Sequence, residues 1–158
     1  MKKVVGFGEI MGRLAPDQFY RFSQSCPGRL DLTFGGAEAN VAASIAMLGG
    51  ASAFVTALPK HAVADGCIRT LKALDVDTQF VVRTDTGRLG LYFVETGANQ
   101  RPGNVVYDRE HSAVSMTPAE AYGWDAIFSD AGWFHISGIT PALSRCAAEA
   151  VLAAAQKA

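Results

Sequence analysis

Cysteine is scarce in these 158 residues: Cys26, Cys67 and Cys146 are odd in number and far apart, without a C-x-x-C spacing. That excludes a disulfide framework and a zinc knuckle, and it fits a reducing cytoplasm. Basic clusters are missing too, since nothing longer than Lys2-Lys3 occurs and the formal net charge is -1, so nucleic acid is not an expected partner. No apolar run approaches the roughly 20 residues that span a bilayer, which removes a membrane from the expected partners. The opening MKKVVGFGEIM starts basic, but Gly6, Gly8 and Glu9 interrupt it and no small-residue cleavage site follows, so it reads as a first strand and not a signal peptide. Two nucleotide-binding loops are absent as well. Gly6-Phe7-Gly8 fails the G-x-G-x-x-G spacing because residue 11 is Met11, and no Gly-Lys-Ser/Thr exists. His61 and His111, in expected loops, pair with no carboxylate at metal-ligand spacing, so no metal site is expected.

What is present suffices for a one-domain core: 49% of residues are hydrophobic and 18% charged. Lys3 to Phe7 is a short apolar run that reads as a buried strand with Gly8-Glu9 at its carboxyl end, where open α/β sheets bind ligands. Leu30, Leu32 and Phe34 alternate with polar residues as on a half-buried strand. Val41, Ile45 and Leu48 then recur at helical spacing up to Gly49-Gly50. Ala53 to Leu58 predicts a second buried strand, and Val63, Cys67, Leu71 and Leu74 mark one face of a helix from about residue 62 to 74. Arg88 to Glu95 and Asn104 to Arg109, joined by a loop with Pro102-Gly103, predict a hairpin inserted between βα units. Thr117-Pro118-Ala119-Glu120 predicts a capped short helix, and Thr140-Pro141 a capped Ala-rich helix after a strand near Trp133 to Ile136. The fold class is therefore α/β, with a parallel helix-flanked sheet and a smaller half-polar sheet covering its open end.

The segment with most chemistry is Phe34 to Gly50, FGGAEANVAASIAMLGG, in which Gly35-Gly36 open a helix carrying Asn40 in its first turn. Unencumbered amides at the positive end of a helix dipole suit an oxygen-rich ligand; equally, a tight strand-to-helix turn needs glycine for its dihedrals. Tyr107 and Arg109 stand two apart on one strand and face the same way, and a guanidinium is shaped to receive a carboxylate. Arg109 also lies between Asp108 and Glu110, where a surface ion pair is the plainer reading. Tyr92 reads equally as a core residue of the small sheet, Glu9 as a cap of nearby amides, Asp17 as a loop residue and His135 as a core histidine.

Taken together, Gly35, Gly36, Asn40, Ala42, Ala43 and Gly49-Gly50, the opening V-x-G-E and the stretch His135 to Leu143 resemble the PfkB (ribokinase-like) sugar kinases along the whole chain. Gly36 to Asn40, Gly90-Leu91-Tyr92, Tyr107-x-Arg109 and Ser137-Gly138-Ile139-Thr140 are most similar to 2-keto-3-deoxygluconate kinases. The resemblance implies a three-layer sandwich with a β-sheet lid drawn from residues about 11–35 and 88–110. It implies that Gly35, Gly36, Ala37, Glu38, Ala39, Asn40, Tyr92, Tyr107 and Arg109, with Glu9 and Asp17 nearby, hold a small sugar acid. It also implies ATP and Mg2+ as cofactors and a homodimer formed through the lid, for which Leu89, Leu91 and Phe93 offer an apolar face.

Two departures stand out. Asp108 replaces an aromatic found in several relatives, and Pro59-Lys60-His61 replaces a glycine and acidic turn. The family's D-T-x-G-A-G-D motif, which supplies the aspartate base and an anion hole, has no counterpart here. The expectation is a chain that carries the sugar side of a kinase, with the C-terminal half and the base lying beyond residue 158. The alternatives are a fructokinase, ribokinase or adenosine kinase type of substrate, or a non-catalytic sugar-binding or dimerisation module.

Overall fold

The apolar run at the start forms strand β1 (Lys3–Phe7), and three buried residues later the chain enters β2 (Met11–Ala15). A single turn, α1 (Phe22–Ser25), leads to β3 (Asp31–Gly35), which passes straight into α2 (Ala37–Met47). There follow β4 (Ser52–Val55), β5 (Ala57–Pro59), α3 (Ala62–Ala73), β6 (Val82–Thr84), β7 (Leu91–Glu95) and β8 (Asn104–Asp108). Short helices α4 (Ala113–Met116) and α5 (Trp124–Phe128) precede β9 (Ala131–His135), then α6 (Ile139–Ala142) and α7 (Arg145–Lys157). The structure, a computed structural model, describes residues 2–158.

Three sheets result. β4-β1-β9 is parallel throughout, the small β5-β6 pair is parallel, and β3-β2-β7-β8 combines antiparallel β2-β3 and β7-β8 pairs with a parallel β2-β7 pair. Alternation along β1 and β4 splits the core across the first sheet, because successive side chains leave opposite faces of a strand. Val5, Phe7, Ala53 and Val55 pack with Tyr122, Trp124, Ile127 and the Ala150/Val151/Ala154 face of α7. Phe54 packs on the other side with Ala39, Ala42, Ala64, Cys67 and Leu71. Helices on both faces of a parallel sheet give the three-layer α/β sandwich.

Several local expectations are corrected. Val41, Ile45 and Leu48 do not form the inner face of α2: Leu48 is 88% exposed, while Ala39 and Ala42 are buried. The helix lies directly on β1, so close that a Cβ on Gly6 would stand 3.1 Å from the Glu38 carbonyl oxygen, and only alanine-sized residues fit between them. The run 53–58 is two strands, since Thr56 hands the chain from the first sheet to the β5-β6 pair. Thr117 is not a helix cap; its hydroxyl donates to the Ala113 carbonyl (2.8 Å), and residues 119–121 make one 3-10 turn. Thr140 lies inside α6, and α7 is capped instead by Ser144, whose hydroxyl accepts from the Ala147 amide (3.0 Å). His61, placed in a loop by sequence, is the N-cap of α3, its Nδ1 accepting from the Ala64 amide (3.2 Å). Leu89 is buried in the core and not part of an exposed apolar face; on the second sheet Leu32, Val105, Val106 and Tyr107 are the exposed large hydrophobic residues.

The chain enters or leaves the second sheet four times: from β1 at Gly8 to Ile10, to α2 at Gly35-Gly36, from the β5-β6 pair at Leu89-Gly90 and to α4 just after Asp108. These crossings lie together.

Candidate functional site

Three of the crossings contribute lining residues to a single cavity, and the one at Leu89-Gly90 packs against them. At the first, Glu9 follows the end of β1 and is only 4% exposed. At the second, Gly36 is the N-cap of α2 in an extended conformation (φ -168, ψ 146), with no side-chain cap on the helix. The amides of the first turn of α2 therefore receive no bond from a capping side chain, and the positive end of its dipole points toward the cavity that Gly36, Ala37 and Glu38 line. Glycine at 36 is demanded by close approach and not by its dihedrals: a Cβ there would collide with the Glu9 carbonyl oxygen. At the third, a Cβ on Gly90 would lie 2.8 Å from Glu9 Oε1. At the fourth, Arg109 leaves the end of β8 and its Nη2 forms an ion pair with Glu9 Oε2.

The resulting cavity, of about 140 Å³, is lined by Glu9, Met11, Gly36, Tyr107, Arg109 and Ile139 among others. A second cavity, of about 330 Å³, adjoins it and shares Arg109 and Ile139. Larger cavities of about 450, 450 and 520 Å³ lie along β9, beside Trp124 and beside α3, away from this convergence of polar groups.

Tyr92 and Tyr107 face each other across the β7-β8 ladder, their rings stacked with centroids 6.0 Å apart at 30°. The Arg109 guanidinium carbon stands 5.5 Å from the Tyr107 ring centroid, a cation-π distance that holds the arginine over an aromatic face. Burial pushes the Tyr92 phenol above its ordinary pKa; Arg13 opposes this and Tyr107 adds to it. Tyr92 is thus a neutral hydroxyl donor and acceptor at neutral pH, and it rests against Gly35, where a Cβ would come within 2.7 Å of its Oη.

Glu38 is 2% exposed and reaches across to the loop after β9. Its Oε1 accepts from the Ser137 amide (2.9 Å), the Ser137 hydroxyl (2.6 Å) and the Thr140 hydroxyl (3.0 Å). This fixes Ile139, one of the two residues between those donors, against the cavity. Gly8 leaves room for it, as a Cβ there would collide with Glu38 Oε2.

Of the residues singled out by sequence, the structure brings Glu9, Gly36, Ala37, Glu38, Tyr107 and Arg109 to the cavity, with Gly35 and Tyr92 in contact behind it. Ala39 is turned into the core, while Asn40 and Asp17 are exposed and lie outside the cavity lining. Arg109 pairs with neither sequence neighbour: Asp108 is taken by Arg88, both of its carboxylate oxygens accepting at 2.6 Å. Met11 and Ile139 also line the cavity though neither was among the expected site residues, since an apolar side chain by itself carries no sequence signal for such a place. Among the described residues, no group of three or more His, Cys, Asp or Glu gathers as a metal site, and no helix is long and apolar enough to cross a membrane.

Comparison with known proteins places these features in context. The family described as pfkB family carbohydrate kinase matches residues 1–158. A 2-dehydro-3-deoxygalactonokinase of Haloferax volcanii is 37% identical over 142 residues, which is 90% of this chain and 43% of the relative. The crystal structure of 2-dehydro-3-deoxygluconokinase from Thermotoga maritima superposes with a TM-score of 0.94 at 44% identity, covering 99% of this chain and 47% of that one. Fructokinase from Xylella fastidiosa, solved with bound ATP, gives 0.84 at 28% identity, covering 99% and 48%. The chain thus spans less than half the length of each.

Proposed function

Because the chain belongs to the pfkB family of carbohydrate kinases, we propose that it forms the sugar-binding part of an ATP-dependent kinase acting on 2-keto-3-deoxygluconate or a similar sugar acid. One observation carries this reading: Glu9, the first turn of α2 and Arg109, far apart in the sequence, meet at one cavity. Amides at Gly36 and Ala37 and the Tyr92 and Tyr107 hydroxyls suit sugar hydroxyls, while Arg109 suits the carboxylate. The second sheet acts as the lid.

In the bound state this chain's residues bind and orient. Holding the sugar at fixed amides and a stacked tyrosine pair reduces the orientational freedom of the acceptor hydroxyl, which is where much of the rate of phosphoryl transfer originates. ATP with Mg2+ would supply the transferred phosphoryl group. The residues present offer that group no cluster of carboxylate ligands and no G-A-G-D turn, so no step is assigned to them beyond sugar binding.

Calorimetric titration of the 158-residue chain with 2-keto-3-deoxygluconate tests the reading. One-to-one binding, weakened about tenfold or more by Arg109→Ala, is expected. A neutral hexose such as fructose binding as tightly, with no loss in Arg109→Ala, would favour the second reading, a kinase of neutral sugars. That alternative draws on the pairing of Arg109 with Glu9, which already balances the arginine's charge.

A further inference from the structure

Two carboxylates lie buried at the cavity, and they are treated differently. Glu38 has one oxygen that accepts three hydrogen bonds. Glu9 is as enclosed, yet neither of its oxygens accepts a hydrogen bond, and the Arg109 Nε opposite is also buried without a partner. Their ion pair runs through one guanidinium nitrogen alone. Packing holds Glu9 in place, with Gly36 against its carbonyl and Gly90 against Oε1. A buried carboxylate without hydrogen bonds is costly, and a pair joined at one nitrogen parts without disrupting any other bond.

We propose that Glu9 is a specificity-determining residue, an internal stand-in for a ligand carboxylate that occupies Arg109 and gives the guanidinium up when a sugar acid binds. The inference rests on the sugar-acid reading of the cavity. The Glu9-Arg109 pair is neutral, so a neutral sugar meets no net charge there, whereas an incoming carboxylate brings a second negative charge into a confined space and competes for Nη2. Glu9 therefore works against anions and sets the margin by which Arg109 favours a sugar acid over a neutral sugar. Its oxygens, released from the arginine, face ligand hydroxyls.

The test compares the native chain with Glu9→Gln, an isosteric change that removes the competing charge, using 2-keto-3-deoxygluconate and fructose as calorimetric probes. The expected result is sugar-acid affinity raised about tenfold, with the ratio of sugar-acid to fructose affinity raised as well. Phenylglyoxal modification of Arg109, followed by mass spectrometry without any sugar, is expected to run several-fold faster in the variant. Sugar-acid affinity unchanged, or lowered together with that for fructose, overturns the inference while leaving the substrate reading intact, and so does an unchanged modification rate. Failure of both proteins to bind the sugar acid overturns the substrate reading and the inference with it. Should Gln at this position prevent folding, Glu9→Asp, which withdraws the carboxylate by one methylene, is expected to give a smaller shift in the same direction, and no shift counts against the proposal.

Discussion

Ser137 donates both its amide and its hydroxyl to a single oxygen of Glu38, 99 residues earlier in the chain, at 2.9 and 2.6 Å. This contact joins the first turn of α2 to the loop after β9, and it explains why a charged residue is tolerated where the neighbouring side chains are alanine.

Glu38→Ala removes the acceptor of three donors and leaves them facing a cavity. A loss of roughly 2–4 kcal/mol is expected, read as a lower urea midpoint. Glu38→Gln keeps a carbonyl oxygen and costs about half as much, and Thr140→Val, which removes one donor, about 1 kcal/mol. Equal midpoints for Glu38→Ala and the native chain would show that the contact contributes nothing.

Arg109→Ala strands Glu9 in a place 4% exposed, without its countercharge. Breaking a buried pair from one side costs about 3–5 kcal/mol, whereas replacing both partners is often near neutral. Denaturation of the double variant Glu9→Gln/Arg109→Met should therefore restore stability to within about 1 kcal/mol of native. Simple addition of the two single losses would mean that the residues act independently.

Acid should weaken the chain partly through Asp77. Burial pushes its carboxyl up, but the hydrogen bond from Lys3 (2.8 Å), the Gln79 amide and the Lys3 charge outweigh this and hold it below the ordinary value of 3.8. A depressed folded value means that the contribution is present above the ordinary carboxylate pKa and is lost as pH falls through the folded one. The Lys3 ammonium is raised above 10.5 by the same partner, so its share is complete below that value and is lost as pH rises through the folded one. With side chains 17% and 28% exposed, the pair is worth about 1 kcal/mol or less. In urea titrations, Asp77→Asn should lower the midpoint near pH 6 and flatten its decline between about pH 4 and 2. A decline as steep as in the native chain would place the acid sensitivity elsewhere.

The elements that sequence patterning located were those whose side chains follow one period against one neighbour. α3 is of this kind, while β1 announces itself as a short apolar run covered on both faces. It failed where backbone proximity decided the matter: α2 buries alanines and exposes Leu48 because β1 lies directly beneath it. β2 carries no strand signal of its own because Gly12 and Arg13 interrupt any alternation, and its place is fixed by ladders to β3 and β7, far apart in sequence. Thr117 and Thr140 looked like helix caps, yet their hydroxyls go to Ala113 and Glu38. The same limit governs the site. Gly36, Tyr107 and Arg109 were legible through residue type and family resemblance, but nothing local to Arg109 says that its partner is Glu9 rather than Asp108 or Glu110.

The four crossings to and from the second sheet coincide with Glu9, Gly36, Gly90 and Arg109, so a second sheet that moved as the proposed lid would turn about these junctions. Points on a fulcrum move least. A rotation that carried the Glu95-Asn104 end of the β7-β8 hairpin through many ångströms would displace Glu9 and Arg109 least. Under the proposed function, the groups at these junctions would then meet a sugar with much the same geometry whether the sheet stands open or shut. Closure would act instead on solvent access and on the outer reach of the two tyrosines, separating the choice of ligand from the act of enclosing it.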